Sequence, residues 1–176
     1  MTESGRLLSR DLIEQIFRSL GERLARRGVV ADLYVFGGAA MAVAYDSRRT
    51  TRDIDALFVP HGIVLEEARA VAQEFDLPAW WLNDQASVYV SRDKDNGART
   101  VFSHPGLRVQ AASPQQLLAM KVLSARRRDV DDITLLVEHL GLTDPAEVLA
   151  LCAKVFPGEP LPGRVDVLLD DVFGRE

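Results

Sequence analysis

Apolar and polar positions along this chain repeat with two periods, and the switch between them divides the sequence. From Ser9 to Gly28 the apolar residues Ile13, Ile16, Phe17, Leu20 and Leu24 recur at helical spacing, which predicts an amphipathic helix stopped by Gly28. Val29 to Phe36 is a short β-type run ending in Gly37-Gly38, and the Ala- and Met-rich segment Ala39 to Tyr45 reads as helix. Asp53 to Val59 predicts a second strand closed by Pro60, Val64 to Phe75 a helix, and Ala79 to Leu82 a further strand. Ser87 to Val90 and Thr100 to Val109 predict two more strands, separated by the turn-rich RDKDNG.

From Ser113 onward the pattern is helical. Ser113-Pro114-Gln115-Gln116 predicts a capping box, with serine at the N-cap, proline at the first helical position and glutamine at the third. A second helix is expected from about Asp129 to Leu140, stopped by Gly141, and a third from Thr143 with Asp144-Pro145 in its first turn. PGEPLPG breaks the chain before a last short helix around Arg164 to Val172. Strands and helices mix first and helices follow, which predicts an α+β (mixed α/β) fold. The expected organisation is a core over residues 1–112 and a helical C-terminal part over 113–176.

Composition narrows this only a little. The 176 residues are 47% hydrophobic and 27% charged, enough apolar material for an ordinary core. No apolar run approaches the roughly 20 residues a membrane span needs, and MTESGRLLSRD has no signal-peptide pattern, so a cytoplasmic protein without a membrane partner is expected. Cys152 is the single cysteine, which excludes an internal disulfide and reads as a small buried hydrophobe. A net charge of −5 argues against a protein that coats nucleic acid. Arginines nevertheless cluster at Arg48, Arg49 and Arg52, and at Arg126 to Arg128.

The candidate chemistry lies between Val35 and Val59. Residues two apart on a strand share a face, so Asp53 and Asp55 are expected to point together while Ile54 and Ala56 face the other way. Two close carboxylates repel unless a cation neutralises them, and oxygen-only ligands suit a hard divalent metal, Mg²⁺ (or Mn²⁺). Gly37-Gly38 allows a tight strand-to-helix turn whose helix N-terminus offers N–H groups to an anion such as phosphate. A glycine turn followed by an acidic pair on the next strand puts a phosphate cradle beside a metal site, as nucleotidyl transfer requires.

FGGAAMA followed by TTRDIDALF resembles the signature of the nucleotidyltransferase superfamily with the polymerase-β-type fold. More closely, TRDID is similar to the [Ser/Thr]-x-Asp-hydrophobic-Asp form in the abortive-infection-type nucleotidyltransferase toxins of bacterial toxin–antitoxin pairs. The resemblance implies a small mixed sheet with flanking helices plus a C-terminal helical bundle. It also implies that Asp53 and Asp55 are metal ligands and Thr51 the hydroxyl residue, with Gly37 and Gly38 at the nucleotide. Arg48, Arg49 and Arg52 flank the acidic pair, either as solvated surface or as contacts to the triphosphate or an RNA backbone. Gly38 stands where many members of the superfamily have serine, so one phosphate-binding hydroxyl is absent there.

The toxin family carries a lysine on a later helix and then a helix with an Arg–Asp pair, which LLAMKVLSARRRDVDDITLLVEHL matches at Lys121 and Asp129. Lys121 falls on or beside an apolar stripe, where its amine either snorkels to water or reaches a nucleotide phosphate. Stepping back from Ile133 at about 100° per residue puts Asp129 about 40° from the inward face, Asp132 about 100° away and Asp131 almost opposite. Asp129 is therefore the first choice for a third acid and Asp132 the second. By resemblance the activity is transfer of a nucleoside monophosphate from an NTP to an acceptor, the 3′ end of tRNA, by a toxin with a possible antitoxin partner. The alternatives are transfer to a small molecule such as an aminoglycoside or to a protein hydroxyl, and a non-catalytic nucleotide- or partner-binding protein on the same scaffold.

Overall fold

A computed structural model describes residues 5–87, 90–91 and 94–174. The fold is mixed α+β. The chain divides into two compact units, Met1–Val88 with Ala98–Ala112, and Tyr89–Gly97 with Ser113–Glu176.

The first unit is a five-stranded mixed sheet with helices on it. Its elements are α1 (Arg10–Arg26), β1 (Ala31–Phe36), α2 (Gly37–Ala40), β2 (Ile54–Val59), α3 (His61–Phe75), β3 (Leu82–Asn83), β4 (Arg99–His104) and β5 (Leu107–Ala111). The strand order is β3-β2-β1-β5-β4. β1 runs antiparallel to β2 and parallel to β5, β2 runs parallel to β3, and β4 runs antiparallel to β5. Alternation along the strands gives the sheet one dry face: Ala31, Leu33 and Val35, Ile54, Ala56 and Phe58, and Leu107, Val109 and Ala111 are all buried. α1 packs on β4 and β5, and α3 on β2 and α1, burying Ile13, Ile16, Phe17, Leu20 and Leu24 of α1 and Val64, Ala68 and Val71 of α3. Trp81 is wholly buried, its indole N–H donating to Ala68 O at 2.8 Å, while Trp80 stays 41% exposed.

Local chemistry explains most boundaries. Ser9 caps α1 by accepting from the Leu12 N–H at 3.2 Å. α2 widens over Met41–Tyr45 into a π-helical turn whose Met41, Ala42 and Val43 are buried. The stretch expected as one strand, Thr100 to Val109, is instead a hairpin of β4 and β5 that turns at Pro105-Gly106, since proline cannot supply a ladder N–H there. A side chain at Gly106 would collide with the Gly21 carbonyl oxygen of α1, so the turn lies directly on helix backbone. The strand expected over Ser87 to Val90 falls partly on residues 88 and 89, which lie outside the described residues.

The second unit is helical: α4 (Pro114–Ser124), a 3₁₀ turn (Arg127–Asp129), α5 (Val130–Leu140), α6 (Pro145–Val155) and α7 (Val165–Phe173). α4 packs on α5 and α6, and α7 on both α5 and α6. The capping box predicted at Ser113 is only half formed. Ser113 Oγ accepts from the Gln116 N–H at 3.1 Å, but the Ser113 N–H donates to Asp95 Oδ2 at 2.8 Å and not to the Gln116 side chain. The complete box forms at α6, between Asp144 and Glu147. Gly141, at φ +68°, ends α5 in the left-handed conformation. Among the described residues no helix is long and apolar enough to cross a membrane.

Candidate active site

The glycine turn and the acidic pair meet because of register. Antiparallel pairing sets Asp55 opposite Phe36, the last residue of β1. The chain then turns at Gly37 with φ +65°, a conformation that side chains other than glycine rarely adopt. A Cβ at Gly37 would lie 3.1 Å from Asp55 Oδ2, so the Asp55 carboxylate sits against bare backbone. A Cβ at Gly38 would lie 3.1 Å from Thr51 Oγ1 and 3.8 Å from a terminal guanidinium nitrogen of Arg49. The two glycines thus leave room that carboxylate, hydroxyl and guanidinium border.

Thr51 is fixed on both sides. Its backbone exchanges hydrogen bonds with Leu8, at 2.7 and 3.1 Å, and its hydroxyl donates to Asp53 O at 3.1 Å. Asp53 precedes the first residue of β2, and its Oδ2 accepts from Asn83 Nδ2 at 3.1 Å. Asn83 is also the strand partner of Asp55 in the parallel β2–β3 pair. Both aspartates are half-buried, and Ile54 and Ala56 are fully buried in the opposite face. Arg48 and Arg52 are exposed, the Arg48 backbone N–H donating to Asp46 Oδ1 at 3.1 Å. Arg49, half-buried, is the arginine next to the turn.

Sequence reasoning missed Asn83, and named Arg49 only as one of three arginines flanking the acidic pair. Nothing local marks Asn83, because it reaches the acids only through the pairing of β3 with β2. Arg49 lies within a recognised arginine cluster, but which member faces the turn depends on the loop path between Tyr45 and Thr51.

Among the described residues no group of three or more His, Cys, Asp or Glu could hold a metal. Two carboxylates are nevertheless what Mg²⁺ needs from a protein when substrate phosphates and water complete its shell. The donor set of Asp53 and Asp55, oxygen-only and half-buried beside a backbone cradle, fits that ion.

In the second unit Lys121, Asp129 and Asp132 come together. Lys121 Nζ lies 3.0 Å from Asp129 Oδ1 and 3.0 Å from Asp132 Oδ2, and the three side chains are only 8–9% exposed. Asp129 closes the 3₁₀ turn and Asp132 lies in the first turn of α5, so both point at α4. Asp131 is exposed, as its place on the helix requires. The Lys121 amine does not snorkel to water: it is enclosed by two acids. Arg126, Arg127 and Arg128 are exposed.

A model of a protein family, described as "Nucleotidyltransferase of unknown function (DUF6036)", matches residues 12–141 of the chain. A solved structure, an antigenic nucleotidyltransferase-like protein from Paracoccidioides brasiliensis, is similar with a TM-score of 0.48 and 16% identity, over 94% of this chain and 95% of that one. No curated protein matches significantly.

Proposed function

The chain belongs to that nucleotidyltransferase family, and from this premise we propose that it transfers a nucleoside monophosphate from an NTP to an acceptor hydroxyl at the site on the sheet. The observation supporting this reading is the 3.1 Å approach of Asp55 Oδ2 to the position a Gly37 side chain would take, which sets acid and glycine cradle side by side. Asp53 and Asp55 would hold Mg²⁺. Bound there, the metal supplies charge neutralisation for the triphosphate.

The chain's own residues then have separable tasks. The bare backbone of Gly37 and Gly38 gives the triphosphate close access, and the Thr51 hydroxyl borders it in place of the serine absent at position 38. Arg49 supplies a fixed planar cation for phosphate oxygens, and Arg48 and Arg52 an outer positive rim. Asn83 orients Asp53 through its amide. In the reaction the acceptor oxygen bonds to the α-phosphorus, the bond from that phosphorus to the β-bridging oxygen breaks, pyrophosphate leaves, and the hydroxyl proton passes to a carboxylate or to solvent.

The acceptor in this reading is the 3′ end of tRNA and the biological role that of a toxin neutralised by an antitoxin; both rest on the TRDID resemblance. Lys121 and Asp129 enter with Asp132 as one buried ion triad whose weight in this reading is structural. The test is incubation with Mg²⁺, each α-labelled NTP and, separately, tRNA, aminoglycoside and protein acceptors, using wild type and Asp53→Asn. Label moving to tRNA with wild type alone is the expected result. Transfer to another acceptor would correct the acceptor, and no transfer with Mg²⁺-independent NTP binding indifferent to Asp53→Asn would overturn the enzyme.

A further inference from the structure

The helical unit contains a cleft of about 590 Å³ that the acid pair does not account for. Its rim is the turn over residues 94–97, the first turn of α4, and the last turns of α6. Gly97 makes the shape possible: a Cβ there would lie 2.9 Å from Ser113 Cβ, so the turn is pressed against the start of α4.

Gln116 lines this cleft and is 4% exposed. In a complete capping box its amide oxygen would accept the N-cap N–H. Asp95 has taken that N–H, at 2.8 Å, and the Gln116 side chain is released from the box. Its amide nitrogen is buried and has no hydrogen-bond partner among the described residues. A buried donor without an acceptor is a cost that folds rarely leave standing, and an acceptor placed in the cleft would remove it.

The surroundings define that acceptor. Lys94 and Lys154 line the same cleft, and the start of α4 adds the positive end of its dipole. Asp95, the one acid among the described residues of the lining, has an oxygen committed to Ser113. Ser91 Oγ donates to Val155 O at 2.9 Å, capping a carbonyl at the end of α6. Ala150, Leu151 and Val155 form an apolar wall.

We propose that this cleft is a second ligand site, taking a small organic anion whose phosphate or carboxylate accepts from Gln116 and the two lysines while its apolar body lies along α6. The site is independent of nucleotidyl transfer at Asp53 and Asp55.

The test follows the Gln116 side-chain NH₂ signals of the ¹⁵N-labelled full chain during titration with inorganic phosphate, phenyl phosphate and benzoate. A saturable shift with phenyl phosphate or benzoate, stronger than with inorganic phosphate and weakened about tenfold in Lys154→Ala, is expected. Phosphates and carboxylates are separated by which of the two aromatic probes binds more tightly. Lys94→Ala should weaken binding similarly, and Asp53→Asn should leave it unchanged. Absence of any Gln116 shift, or a shift equally strong in the Lys94→Ala/Lys154→Ala double variant, would overturn the proposal.

Discussion

Asp53 and Asp55 stand half-buried against a glycine turn, whereas Asp129 and Asp132 are shut away with one lysine amine 3.0 Å from each. The residue types and near-neighbour spacing are alike, and burial separates their uses. A carboxylate deprived of water has to be neutralised by the fold itself, so its partner becomes part of the protein's stability. A carboxylate left at the edge of water can take its cation from solution and release it. The helical unit has matched Asp129 and Asp132 internally, and the sheet unit leaves Asp53 and Asp55 half-buried, where the proposed substrate-borne ion would bind.

The sharpest way to break this contrast is Lys121→Met, which leaves two carboxylates buried without their cation. About 3–5 kcal/mol of unfolding free energy should disappear in denaturant titration. Unchanged stability with lost transfer activity would instead give Lys121 the catalytic role that its sequence context suggests. Next come Asp53→Asn and Asp55→Asn, each expected to lower transfer about 10²–10³-fold, the scale of losing one preorganised electrostatic partner. The denaturation midpoint should barely move, and a stability loss comparable to that of Lys121→Met would erase the distinction.

Gly37→Ala tests the cradle between those extremes. Forcing a Cβ into a φ of +65° should cost about 1–2 kcal/mol, and its 3.1 Å approach to Asp55 Oδ2 should depress activity as well. Arg49→Gln should raise the KM for NTP about tenfold, the value of one charge-assisted contact, while Arg52→Gln should leave it nearly unchanged. Equal effects from both arginines would make the cluster a diffuse field.

The smallest effect concerns Cys152. Burial pushes its thiol from an ordinary 9.0 up to about 11. The folded state therefore favours the neutral thiol, and stability should decline as pH climbs from 9 towards 11, where only the unfolded chain ionises readily. Iodoacetamide should alkylate the native chain at neutral pH far more slowly than the unfolded chain. Equal rates would place the sulfur in solvent.

What could be read from the sequence was what neighbouring residues decide. Ile13 to Leu24 announce α1, Gly28 and Gly141 its end and that of α5, and the glycine turn with Asp53 and Asp55 lies within one short stretch. What could not be read depends on distant pairing. Asn83 joins the acids through the β2–β3 ladder, and Asp95 displaces the Gln116 side chain from its cap by crossing to Ser113. The partner of Lys121 was partly visible: the wheel turned Asp129 inward but left Asp132 to one side. The 3₁₀ turn before α5 brings both carboxylates to the amine.

The contact between Gly106 and the Gly21 carbonyl has a reach beyond its own corner. Helix and hairpin meet there chiefly through main chain at Gly21 and Ala25, with only the Ala25 methyl and the His104 ring beside it. A larger residue at position 106 would lever α1 away from β4 and β5 instead of being absorbed by repacking. The gap between α1 and the hairpin at this corner is therefore set largely by backbone.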